Sequence, residues 1–241
     1  MFRIFKAELF KCRHNMSFFL SLLASVPLGI LYTVICELDK TLSMAEILSG
    51  VVSYYSIFFI IMITMYVTND YEKGTIKAIM SSGVSKSGIY FGRLLVSVVV
   101  SEVMFLLAFA GAGAYGFMRG IPMASDAMPW TTFQFVESVG VQMLIVAIYA
   151  MLGYFISVLI KKQMPAMIVA IIVINCEPLL IGKLSEMLHA DLSILDFTSM
   201  IEQIEVLNLS GNVLIGTGIF ALVVFVATFI VGTAIFKHRD I

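Results

Sequence analysis

The sequence predicts an all-α, polytopic membrane protein with six transmembrane helices and both termini on the cytoplasmic side. Three observations carry that expectation. Of 241 residues, 60% are hydrophobic and only 13% are charged, at a mean hydropathy of +1.01. A soluble domain carries about 25% charged residues, so this chain has roughly half the charge an ordinary surface needs. Apolar runs near the ~20 residues that a bilayer core requires recur along the chain. Lysine and arginine gather on alternate connections between those runs, which assigns an orientation.

The apolar runs cover residues 16–35, 47–67, 94–117, 136–160, 164–181 and 213–236. The first reads as a span and not as a cleavable leader. Its apolar stretch is long, and Cys36, Glu37, Leu38 and Asp39 follow it instead of a small-residue cleavage site. The fifth is the least regular, because Asn175, Glu177 and Pro178 interrupt its far end. With the N-terminus inside, the inner segments hold Arg3, Lys6, Lys11 and Arg13, then Lys73, Lys77, Lys86 and Arg93. Lys161, Lys162, Lys237 and Arg239 complete twelve of the fifteen basic residues, leaving Lys40, Arg119 and Lys183 outside. The reverse topology would invert that bias.

Residues 1–15 form a basic amphipathic stretch. Phe2, Phe5, Leu9 and Cys12 share one helical arc, with the basic residues mostly elsewhere. An interfacial helix and a plain positive-inside flank both fit that pattern. Lys161-Lys162-Gln163 is a minimal inner turn, and Pro165 suits the first turn of the next helix. Outside, residues 118–135 make a polar loop whose Trp130 is a natural interface anchor. In the outer segment 182–212, Leu184, Met187, Leu188, Ile201 and Ile204 recur at helical spacing among acidic residues. That spacing predicts a pair of amphipathic outer helices.

The most informative connection is the inner loop 68–93. Thr75 is expected to cap a short helix over 76–82, and Gly83 suits the position after its end. Ser85 offers a second cap, leading into the third span. On the short helix Ile76, Ile79 and Met80 form one apolar edge, while Lys77 and Ser81 project elsewhere. An apolar knob ringed by charge suits a groove on a cytoplasmic partner, or it rests on headgroups. The residues alone leave both readings open.

The run Asp70-Tyr71-Glu72-Lys73-Gly74-Thr75-Ile76-Lys77, then Ser82-Gly83-Val84-Ser85-Lys86 and Ile89-Tyr90-Phe91-Gly92-Arg93, resembles the ABC-2 type permease family. The resemblance covers the whole chain in order, and the ending Phe236-Lys237-His238-Arg239-Asp240-Ile241 is also similar to family endings. In layout the chain resembles small bacterial lantibiotic-immunity and bacitracin-resistance permeases. The resemblance implies that Asp70, Glu72, Gly74, Thr75, Ile76, Lys77, Ile79, Met80 and Gly83 couple the chain to cytoplasmic ATP-binding subunits. It also implies a second permease, the same or a homologous chain, and export of an amphiphilic compound or peptide from the cytoplasmic membrane.

Enzyme readings fail on inventory. There is no Gly-x-x-x-x-Gly-Lys-Ser/Thr loop, since Gly182-Lys183-Leu184-Ser185 lacks the upstream glycine. ATP and Mg are therefore expected on a separate subunit, with no cofactor on this chain. His14, His189 and His238 all fall outside the spans, which removes a membrane metalloprotease and an intramembrane serine–histidine dyad. Cys12, Cys36 and Cys176 are too few for a disulfide framework or a metal cluster. A net charge of −1 argues against nucleic acid as a partner. Two rival classes stay open: a substrate-capture subunit of an importer, and a non-transporting sensor or scaffold partnered with an ATPase. The charged inner loop speaks against the first.

Polar groups inside the spans are candidates for a pathway or gate. Glu102 lies roughly 12 Å into the third span at about 1.5 Å per residue. It is expected to face protein or water, as a substrate contact, a gate or a structural hydrogen bond. Gln142, Asn175 and Glu177 join it, although Gln142 and Asn175 also suit helix–helix bonding and Glu177 the outer interface. Ala108, Ala112 and Gly116 form a stripe of small residues that predicts close helix packing. Met62, Met65, Met104, Met143 and Met151 either fill the core or line an adaptable path.

Overall fold

The computed structural model describes residues 2–14, 16–38, 43–76, 79, 85–123, 132–188 and 211–238. Among them all regular secondary structure is α-helical. The helices are α1 (Phe2–His14), α2 (Met16–Glu37), α3 (Met44–Ser49), α4 (Val51–Glu72), α5 (Lys86–Met118), α6 (Thr132–Ile160), α7 (Gln163–Leu188) and α8 (Gly211–His238). Five stretches are long and apolar enough to cross a bilayer: Phe18–Glu37, Met44–Glu72, Lys86–Met118, Thr132–Ile160 and Leu214–Phe236. The sixth expected span is α7, which bends by 44° between Gln163–Cys176 and Ile181–Met187. Pro178 lies in that bend, and its ring removes one ladder donor and crowds the preceding turn. The protein is therefore an all-α, multi-pass membrane protein. Of the expected outer segment 182–212, residues 182–188 continue α7 and 211–212 open α8, and of the expected loop 118–135, residues 132–135 open α6. Residues 189–210 and 124–131, with Trp130, lie outside the described residues.

Ser85 caps α5, its hydroxyl accepting from the Gly88 N–H at 3.3 Å. The helix then runs 33 residues, roughly 50 Å at about 1.5 Å per residue, against a hydrocarbon core of ~30 Å. It therefore overreaches the slab, and its first turns carry Lys86 and Arg93. There they meet α1, which packs on α5 and α2. Tyr154 of α6 donates to the Tyr90 carbonyl at 3.1 Å, and the Tyr90 ring lies 6.1 Å from that of Phe236 at the end of α8. One end of the bundle thus collects α1, the α4–α5 connection, the α6–α7 turn and the α8 terminus.

The backbones of α2 and α5 approach closely, and small residues make it possible. A Cβ at Gly29 would overlap the Ala108 carbonyl, and one at Gly111 would sit 2.6 Å from the Val26 carbonyl. Ala108 and Ala112 are fully buried, and the Thr33 hydroxyl donates across to Ala112 O at 3.3 Å. The small-residue stripe is thus a packing surface. Gly111→Val should force the two backbones apart at about 1–3 kcal/mol. We expect a lower melting temperature in detergent, whereas Gly182→Val, with nothing within 4 Å of its Cβ, should leave it unchanged.

The second span is two helices rather than one. A capping box starts α3, with the Ser43 hydroxyl accepting from the Glu46 N–H and the Glu46 carboxylate accepting from the Ser43 N–H. The chain breaks at Gly50 (φ −91°, ψ 0°) before α4 begins. That break separates the Leu48 carbonyl from the Val52 N–H, which would pair in a continuous helix. Gln142 of α6 fills the gap: its amide donates to Leu48 O at 3.1 Å, and its Oε1 accepts from Val52 N–H at 3.3 Å. A third contact joins the same amide to Ser138 Oγ at 3.4 Å. In a bilayer such freed backbone groups find no water, so a side chain must serve them.

Candidate functional site: a buried charge network joining the N-terminal helix to the inner loop

Four charged side chains from three helices converge where α1 meets the ends of α4 and α5. The Arg93 Nε of α5 donates to Glu8 Oε1 of α1 at 3.2 Å, and its Nη2 contacts Asp70 Oδ2 at the end of α4. Lys11 of α1 contacts the other carboxylate oxygen, Asp70 Oδ1. Thr75, just beyond α4, donates to Asp70 Oδ1 at 3.1 Å and to the Asp70 carbonyl at the same distance. Tyr66 donates to Glu8 Oε2 at 3.1 Å, and Cys12 donates in turn to the Tyr66 hydroxyl at 3.1 Å. Two carboxylates thus meet two cations, so the cluster is neutral as a whole. Arg93 and Asp70 are each 2% exposed and Glu8 4%. An isolated charge at such burial would cost several kcal/mol, and this arrangement offsets that only while every member is present.

Burial, together with the nearby Arg93 and Lys73 charges, pushes the Lys11 amine down to about 8, while Glu8 pulls the other way. Burial likewise raises the Cys12 thiol above its ordinary value, so the docked thiol is a poor nucleophile.

The inward face of α1 differs from the expected arc. Cys12 is buried and Phe5 packs on the core, but Leu9 is exposed and Glu8 faces inward. An arc drawn from hydrophobicity alone treats Glu8 as a solvent residue. The Arg93 guanidinium reverses that preference, because a paired carboxylate can be buried where an unpaired one cannot. The side chain of Phe2 lies outside the described residues.

The loop residues divide. Asp70 belongs to the network. Glu72 is exposed, and its Oε1 accepts from the Gln163 N–H at 2.8 Å, tying the end of α4 to the start of α7. Lys161 in the same turn places its ammonium 6.0 Å over the Tyr71 ring. Gly74 ends α4 at φ +68°, a left-handed conformation that suits glycine. The Thr75 hydroxyl turns back to Asp70, and the helix it is expected to cap, 76–82, lies outside the described residues except at 76 and 79. Ile76 is 1% exposed within the core, and Ile79 is partly buried against it. The expected exposed edge of Ile76, Ile79 and Met80 is therefore corrected at Ile76. Once Gly74 turns the chain back over the bundle, burying that side chain stabilises by roughly 1.5–3 kcal/mol. Lys77, Met80 and Gly83 lie outside the described residues.

The intramembrane candidates have separate surroundings. Gln142 is fully buried at the α3–α4 break. Asn175 is exposed and donates to the Ile171 carbonyl of its own helix at 2.8 Å. Glu102 is part-buried in α5, and among the described residues its buried Oε2 has no hydrogen-bond partner. The Glu177 side chain lies outside the described residues. No described contact joins two of the four. Sequence reasoning overlooked Glu8 and Tyr66 and read Arg93 only as an inner-side charge and as part of the family resemblance. The available signal was an acidic residue on the apolar side of a basic helix, facing an arginine just ahead of a span.

The family described as ABC-2 family transporter protein matches residues 4–177, which takes in the whole network, the first four spans and most of the fifth. A search of curated proteins found no match. Membership implies partnership with ATP-binding subunits in a membrane complex. By that match, over well more than half its length, the chain belongs to the ABC-2 transporter family and is the permease component of an ABC transporter.

Proposed function

We propose that this permease exports an amphiphilic compound or peptide, in the manner of lantibiotic-immunity and bacitracin-resistance transporters. Both termini face the cytoplasm of a bacterial cell, a second permease completes the pathway, and separate subunits bind and hydrolyse ATP. The observation that carries the reading is the attachment of the inner loop at both of its flanks. Asp70 is clasped by Arg93 of α5 and Lys11 of α1, and Glu72 holds the first residue of α7. These contacts tie the ends of the loop to α1, α5 and α7, so a displacement of those ends is passed to three helices. ATP binding on the partner then shifts the population between inward and outward access. Contact with the ATPase falls to Lys77, Met80 and Gly83, which follow in sequence, while Asp70, Thr75 and Ile76 transmit.

The test is mild-detergent purification of the complex with Lys77→Glu and Met80→Glu together. We expect loss of the co-purifying ATPase and of transport, with the permease itself still folded. A retained complex with full transport would remove the loop as the contact. Substrate-stimulated ATP hydrolysis in the reconstituted wild type separates transport from sensing.

A further inference from the structure

A cavity of about 430 Å³ opens between α2, α4 and α5 and reaches the start of α7. Its volume falls in the range of small-molecule pockets, roughly 300–1,000 Å³. Its lining is graded along α4. Met62 and Met65 with Met104 of α5 line its apolar part, the shaft, and Asn69 and Lys73, one and two turns further along the chain, line with Gln163 its polar part, the mouth. Thioethers make such a shaft adaptable to chains of varied shape.

The mouth carries one cation, Lys73, and the Glu72 carboxylate beside it is engaged by the Gln163 N–H. Lys73 is exposed, and among the described residues no carboxylate pairs with it. Its charge is close enough to Lys11 to help depress that amine. Within one cavity, then, an apolar shaft ends at a cation and two amide-bearing side chains.

We propose that this groove binds one anionic membrane lipid, with an alkyl chain in the methionine shaft and the phosphate head on Lys73. Asn69 and Gln163 supply neutral donors to the same head, which an ammonium alone would hold less directionally. The site is separate from the ATPase contact, so it stands whether or not the export reading does. It also touches the charge network, because Tyr66 lines the groove and its hydroxyl holds Glu8.

The probe is dodecyl phosphate carrying a diazirine in its chain, photolysed with the purified chain in phosphatidylcholine nanodiscs. Labelled residues are then mapped by mass spectrometry. We expect labelling concentrated at Met62, Met65 and Met104, competed by plain dodecyl phosphate but not by dodecyltrimethylammonium. Lys73→Gln should lower it at least tenfold and Lys73→Arg should restore it. Ala24→Phe, which fills the shaft, should abolish it while leaving Lys73 in place. Labelling spread evenly onto lipid-facing positions such as Ile219 and Leu222 would overturn the proposal, as would indifference to Lys73→Gln or equal competition by the cationic chain.

Discussion

Arg93→Met should release the N-terminal helix from the bundle. The guanidinium is the one member of the network that contacts both carboxylates, Glu8 and Asp70. Removing it leaves two buried anions facing the single Lys11 cation. Breaking a buried pair from one side costs about 3–5 kcal/mol, and at about 1.4 kcal/mol per tenfold that shifts docking by roughly two to three and a half powers of ten. Cys12 reports the change directly. It is 2% exposed and its thiol is raised by burial, so the docked thiol should resist maleimide. In a Cys36→Ser, Cys176→Ser background, Arg93→Met should speed Cys12 alkylation on the order of a hundredfold or more. Arg93→Lys should recover only part of the protection, since one ammonium cannot hold both carboxylates in the fork geometry. Adding Glu8→Gln to Arg93→Met removes the surplus anion and should return part of the loss, a coupling measurable as a double-mutant cycle. Unchanged alkylation in Arg93→Met would mean that apolar contacts, not the ions, dock α1.

The same network shows where the sequence was readable and where it was not. All six apolar runs fall in helices because a run of ~20 apolar residues needs no partner to be recognised. Ser85 as a cap and Ala108 with Ala112 as a packing stripe were equally legible, since cap geometry and helix spacing are local properties. The start of the second span was legible too, but was overlooked: Ser43-Met44-Ala45-Glu46 is a capping-box pattern, and it places α3 ahead of the expected residue 47. Glu8 was not legible in this way. Its inward orientation depends on Arg93, 85 positions along the chain, and no periodicity within α1 encodes that partner. Ile76 is a related case. Its apolar character was plain, but whether it faces a partner protein or its own core depends on where Gly74 sends the chain. The glycine marks the turn, and only the packed structure gives its direction.

Gln142 gives the second large effect, and it tests whether the break in the second span is imposed or merely tolerated. Replacing it with leucine keeps most of the volume but withdraws both the donor on Leu48 O and the acceptor on Val52 N–H. Each orphaned buried group costs about 1–3 kcal/mol, so the pair amounts to roughly 2–6 kcal/mol if the break persists. Water cannot make good that loss at membrane depth. The chain has one alternative, which is to straighten at Gly50 and pair Leu48 with Val52 directly. Straightening would move α3, whose Met44 fills the notch at Gly116, so the escape carries its own packing cost. We therefore expect Gln142→Leu to lower the melting temperature in detergent markedly and to expose the Val52 amide to hydrogen exchange. Gly50→Ala favours a continuous helix by about 1 kcal/mol and should rescue part of that loss in the double variant, while destabilising the otherwise wild-type chain. Full stability in Gln142→Leu with the Val52 amide still protected would show that the helix closes its own ladder. The break would then be a consequence of the glutamine, and not a feature that the glutamine repairs.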